Sequence, residues 1–131
     1  MALLLGDKFR SAIVDSGIVG KLGTSAVLKV FNGTQPGTAG GTAGTLLVTI
    51  SPIAWNAASN GTAGITATVS GTAGSSGTAS WARLSDSSGT SYIVDGACGT
   101  SVTSTFVIDA VNITALAEVT FSSATIVQPG S

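Results

Sequence analysis

From Ser25 to Phe31 the chain alternates, with Ala26, Leu28 and Val30 on one side. It breaks at Asn32-Gly33, passes through a small-residue loop from Pro36 to Gly44, and alternates again from Thr45 to Ile50 with Leu46, Val48 and Ile50 on one side. Period two over such lengths predicts half-buried β-strands. Pro52 cannot donate to a ladder, so Ser51 to Trp55 reads as an edge or a loop. Further alternating runs cover Gly64–Val69, Thr78–Leu84, Ser91–Asp95, Val102–Ile108 and Ala117–Phe121, with Asn112–Thr114 as an extension of the fourth. Asn60-Gly61, Gly71 to Gly77, Asp86 to Gly89 and Asp95-Gly96 supply turns or connections, so residues 78–95 read as a hairpin. At Ser122-Ser123 the phase slips: Val119 and Phe121 share one parity, Ala124 and Ile126 the other, which predicts a bulge or crossover. The sum is an all-β chain of about seven or eight short strands, spaced as in a β-sandwich or jelly roll.

Residues 1–22 stand apart as an N-terminal helix or arm ahead of a β domain at 23–131. Leu5, Phe9 and Ile13 recur every fourth residue, the spacing of one helical face. Gly17 and Gly20 are the expected end of that helix. The segment either packs on an open side of the β domain or docks on a neighbouring subunit.

Composition narrows the function. The chain has 131 residues, enough for one domain to bury a core without disulfides or metals. Charged residues are 8% against the usual ~25%. The net charge of −1 provides no pull towards nucleic acid or an anionic membrane. So little charge fits a protein whose surfaces meet neighbours, or a neutral surface solvated by Thr and Ser. Met1 to Leu5 is too short for a signal or a span, so the protein is expected to start in the cytoplasm of the cell that makes it.

There is no histidine, which removes Ser-His-Asp and Cys-His nucleophiles. Asp86 and Asp95 flank the predicted hairpin and could approach each other as a glycosidase pair or calcium site, although Asp in a turn is ordinary. Gly17 to Gly23 has Leu22 where a phosphate loop needs Ser or Thr after its Lys, and is rejected as one. Cys98, the single cysteine, is placed in a turn. Trp55, Trp81 and Tyr92 serve either as core or as a sugar-stacking platform, with core favoured because large side chains are few. No catalytic, cofactor-binding or metal-ligating residue is assigned. Gly-Thr-Ala-Gly tetrads at 37–40, 41–44, 61–64 and 71–74 recur irregularly, which argues against a solenoid.

Lys29-Val-Phe-Asn-Gly-Thr-Gln-Pro36, Gly44-Thr-Leu-Leu-Val-Thr-Ile50 and Gly77-Thr-Ala-Ser-Trp-Ala-Arg-Leu-Ser-Asp86 together resemble a group of small virion proteins of tailed bacteriophages. The resemblance spans most of residues 7–100. It implies a β-rich structural protein of the particle and no catalysis. The expectation is therefore a capsid decoration (cement) protein, not an enzyme. It would sit on the outer surface of the shell, bind the major capsid protein, and associate with itself as a homotrimer or other symmetric oligomer. The contact residues expected are Leu3, Leu4, Leu5 and Phe9 of the arm and Asn32, Gln35 and Pro36 of the loop. The alternative is a tail, neck, baseplate or fibre component binding host-surface glycan.

Overall fold

The computed structural model describes residues 6–127, apart from 39, 42, 43, 58, 60, 61, 89–91, 102 and 103. Leu3, Leu4 and Leu5 lie outside the described residues. The chain opens with α1 (Asp7–Ala12), widens into a π-helical stretch (Ile13–Val19), and finishes in a last α turn, α2 (Gly20–Leu22). The helical segment thus runs through Gly17 and Gly20, which were expected to end it. A side chain at Gly20 would start 2.7 Å from the Asp15 carbonyl oxygen, so the wide turn needs glycine there. The helical segment stops at Gly23, whose φ of +72° suits glycine. Leu22, in the last turn, joins the core.

Among the described residues ten strands follow: β1 (Ala26–Phe31), β2 (Leu46–Ile53), β3 (Thr62–Gly64), β4 (Val69–Thr72), β5 (Gly77–Thr78), β6 (Trp81–Ser85), β7 (Val94–Gly99), β8 (Phe106–Ile108), β9 (Asn112–Ile113) and β10 (Glu118–Val127). Eight form one sheet in the order β2-β1-β6-β7-β8-β10-β3, with β4 also on β10; β5 and β9 pair separately. β7 turns a corner in this sheet. Its first four residues pair antiparallel with β6, and Cys98 and Gly99 pair parallel with β8. β10 is long enough to serve two partners on one edge, β4 along Glu118–Phe121 and β3 along Thr125–Val127.

The sheet nearly closes into a barrel. Val48 and Ala73 form an antiparallel bridge, and the Gly74 N–H donates to the Leu47 carbonyl at 2.9 Å, so β4 returns to the free edge of β2. The all-β class therefore holds, with eight of the described strands joined in one curled sheet. The core lies inside the curl: Leu28, Val30, Ile50, Ile53, Ala82, Leu84, Phe106, Ile108 and Phe121 are all at most 1% exposed. Phe106 and Phe121 meet edge to face at 6.3 Å. Each Val, Leu, Ile or Phe side chain among them contributes ~1.5–3 kcal/mol by leaving water.

The slip expected at Ser122-Ser123 is present: the β8–β10 register shifts between Phe121 and Ser123, and Ala124 returns to the core. Elsewhere the strand bounds move. Gly64–Val69 is not one strand; β3 ends at Gly64, Ala67 is exposed, and β4 starts at Val69. Gly71 to Gly77, expected as a connection, holds part of β4 and the start of β5. Asp95 to Gly99 is strand, not turn, and Asn112-Ile113 pairs with β5 in place of extending β8. Pro52 lies within β2, where the β1–β2 register is irregular between Ala26 and Leu28.

Gly71 explains why glycine-rich sequence can be strand. A Cβ there would lie 2.4 Å from the Thr49 carbonyl oxygen, so the seam closes only without a side chain. Gly71→Ala should cost ~1–3 kcal/mol, read as a lower urea midpoint. Gly74→Ala, where nothing lies within 4 Å of the added methyl, should be close to neutral. Equal midpoints for the two variants would show that the seam does not require the glycine.

Candidate functional site

Two surfaces concentrate the side chains that sequence reasoning singled out. The first is the outer face of β1, β6 and β7. On β1 and β6, Leu28, Val30, Ala82 and Leu84 point into the core, which leaves Phe31, Trp81 and Arg83 on the other side. Trp81 is nevertheless 1% exposed. It stacks on its cross-strand neighbour Phe31, with ring centroids 4.6 Å apart, and the Arg83 guanidinium lies 5.2 Å from its ring. The Trp81 indole N–H donates to the Asn32 carbonyl at 3.2 Å.

Arg83 and Asp95 oppose each other across β6 and β7 and form a two-pronged ion pair, Nε to Oδ1 at 2.8 Å and Nη2 to Oδ2 at 3.0 Å. Both side chains are largely buried. The pair also holds the Gly/Thr loop: Nη2 of Arg83 donates to the Gly41 carbonyl at 2.8 Å, and the Gly40 N–H donates to Asp95 Oδ2 at 3.2 Å. Ser80 donates its hydroxyl proton to the Gly33 carbonyl. Hydrogen bonding to Asp95 is the main reason that the Arg83 pKa rises above its ordinary value.

The loop residues expected as contacts divide accordingly. Asn32 is committed internally: its N–H donates to the Thr45 carbonyl, its Oδ1 accepts from the Thr45 N–H, and its carbonyl accepts from Trp81. Pro36 is half-buried, with its ring over Gly41, where a Cβ would sit 2.8 Å away. Gln35 is exposed, together with Gly33 and Thr34.

The second surface is beside the helical segment. Ile13, Lys21, Leu22, Tyr92, Ile93 and Val94 line an apolar cleft of about 240 Å³. Phe9 is 71% exposed, Tyr92 55% and Ile13 40%. The Lys21 ammonium lies 5.6 Å from the Tyr92 ring. Tyr92 adopts φ +43°, uncommon for a large side chain. Ile13 lines the cleft, Phe9 is exposed and is not among the residues that line it, and Leu5 lies outside the described residues. Nothing in the composition marked Ile93 and Val94 as the wall of a cleft, since both read as strand interior.

The reactive groups are not assembled. Asp95 is held by Arg83, and Asp86 accepts from the Ser88 hydroxyl at 2.7 Å. Asp86 lies three residues beyond the Arg83–Asp95 pair, ~10 Å along the strand, against the ~5 Å separation of a retaining glycosidase pair. Asp109 Oδ1 accepts from the Thr120 N–H. Among the described residues no three His, Cys, Asp or Glu are grouped to hold a metal, and no helix is long and apolar enough to cross a membrane. Trp81 is covered and Trp55 is half-buried, its indole N–H enclosed without an acceptor; of the three aromatics considered for a sugar platform, Tyr92 is the exposed one. Gly17 to Leu22 is helical, not a loop. Comparison with protein-family models, curated proteins and solved structures returned no match.

Cys98 is buried in β7, and desolvation pushes its pKa from 9.0 up to about 12. Between those values the folded chain keeps a proton that the unfolded chain has lost. Stability should therefore fall as pH rises through that window, by up to ~1.4 kcal/mol per pH unit. The slope should vanish in Cys98→Ala, measured by urea unfolding at pH ~8 and ~10. A thiol reagent should label native Cys98 only on unfolding. For the loop latch, Asp95→Asn leaves Arg83 without its counter-charge and should cost ~2–4 kcal/mol. It should also expose residues 33–44 to proteinase K; an unchanged digestion rate would show that the pair does not hold the loop.

Proposed function

We propose that this protein is a structural component of a tailed-bacteriophage particle, and specifically a decoration protein that binds the major capsid protein on the outside of the shell. The observation that carries the reading is how the chain uses its polar groups. The Arg83–Asp95 pair, Asn32 and Asp109 serve the fold's own loops and strands, whereas Ile13 and Tyr92, two of the exposed large side chains, line an apolar cleft. Such a surface adds contact area and carries no assembled chemistry. The resemblance of Lys29–Pro36, Gly44–Ile50 and Gly77–Asp86 to small phage virion proteins supports the same reading.

We also read the curled sheet as two walls of the sandwich or jelly-roll kind. β2, β1 and β6 make one wall, β8, β10 and β4 the other, and β7 passes between them.

The mechanism is interface burial. A standard interface buries ~1,600 Å² in total, and repetition over a shell multiplies a modest gain at each site. The scarcity of charge favours this, because ions at a seam must be desolvated. The arm and the exposed tip of the Gly/Thr loop, Gln35 included, are the contact elements. Copy number in purified particles tests the assignment: decoration requires a low integer ratio to the major capsid protein, whereas a handful of copies per particle would move the protein to the tail. A variant lacking residues 1–10 should fold and lose its place on the particle; full occupancy would remove the arm from the contact.

A further inference from the structure

We propose that Leu116 is an anchor for a protein partner, its side chain held out of the fold to fill an apolar socket on another molecule. The partner's identity rests on the decoration reading, which makes it the major capsid protein; the anchor role rests on the turn itself.

Two features meet at this residue. Leu116 is 85% exposed, the most exposed of the large apolar side chains among the described residues. A single exposed leucine is ordinary, but its backbone here is not. Its φ is +73°, in the left-handed region where a large L side chain crowds the carbonyl that follows. Leu116 holds the second central position of a turn closed by the Ala117 N–H, which donates to the Thr114 carbonyl at 3.0 Å. Turns that need a positive φ there take glycine or asparagine. In a chain with 18 glycines among 131 residues, a position that calls for glycine carries a leucine that contributes almost nothing to the core. Strain of this kind gathers at functional sites, where the surrounding structure enforces it.

The surroundings enforce it at this turn. The Leu116 N–H donates to the Ala73 carbonyl at 2.8 Å, and the Ala73 N–H donates to the Ala117 carbonyl at 2.8 Å. The Ala115 N–H donates to the Ser76 hydroxyl at 2.8 Å. The side chain therefore leaves a fixed base, and little backbone freedom is lost on docking. Its flanks are small and apolar: Ala115 and Ala117 are exposed. The Gly74 N–H donates to the Leu47 carbonyl, which sets the turn beside the start of β2, where Leu46 is 39% exposed. No charged residue lies between Lys29 and Arg83 or between Asp109 and Glu118. An aliphatic knob with uncharged flanks fits the desolvated centre of a protein interface. Nucleic acid would ask for cations, and a bilayer surface for basic flanks and a broad apolar face.

The test pairs stability with binding. Leu116→Gly should raise the urea midpoint by roughly 0.2–0.5 M, because the strain is relieved and no core contact is lost. The same variant should rebind particles depleted of this protein about tenfold more weakly than the wild type, the effect of losing one buried leucine. Leu116→Met keeps an apolar side chain and should rebind like the wild type. A Leu116→Gly midpoint at or below the wild-type value would show that the fold needs the leucine and would overturn the proposal. Rebinding of Leu116→Gly at wild-type strength, or of Leu116→Met as weakly as Leu116→Gly, would overturn it too and leave the decoration reading standing. A wild type that does not bind the particles at all would instead remove the decoration reading, and the partner named here with it.

Discussion

The fold depends on the approach of two backbones, β2 and β4, at a place where the curled sheet meets itself. Twisted strands curl a sheet, but closure needs a seam, and a seam needs room. Here the Thr49 carbonyl lies where any side chain at Gly71 would begin, and Val48 and Ala73 bridge just beyond. Small residues on β4 therefore let the barrel close around a narrow interior. A narrow interior is filled by few large groups, which is why Leu28, Ile50, Leu84, Phe106 and Phe121 suffice as its centre. The sparse large apolar residues and the abundance of glycine follow from the same geometry.

Outside the barrel a second, smaller organisation rests on the Arg83–Asp95 pair. Phe31 and Trp81 face away from the core, and the loop after β1 covers them. The ion pair ties that loop down through main-chain groups of Gly40 and Gly41, so one interaction both satisfies two buried charges and orders the cover. A charge pair of this kind contributes less by its own attraction than by the cost of leaving either member alone.

Period two made β1, β6, the Val48–Ile50 part of β2 and the first half of β10 legible, whereas at the start of β2 the register shifts and Leu47 is buried in place of the expected Leu46; the parity change at Ser122 marked a real register shift. What was not legible has a common cause: glycine has two meanings. At Gly33 it is a turn residue with positive φ, while at Gly71 and Gly96 it sits inside a strand against another chain segment. Local sequence does not distinguish these, because the neighbour that requires the glycine is distant in the chain. The helical segment misled in the same way, with Gly17 and Gly20 carried through a π-helical turn. Of the candidate surfaces, the cleft was not legible, since Tyr92, Ile93 and Val94 reach it only through the β6–β7 pairing and the placement of the helix. Trp81 was correctly read as buried, but under a loop on the outer face, which depends on the pairing of Arg83 with Asp95.

The Gly/Thr loop is gripped by its main chain. Gly40 and Gly41 are confined to glycine by φ and by the Pro36 ring, while Thr34, Gln35, Gly37 and Thr38 contribute exposed surface. A cover recognised by its amides and carbonyls leaves its outward side chains free to drift between descendants of one ancestor while the barrel beneath keeps its shape. The same freedom makes that tip a natural place to graft a foreign epitope.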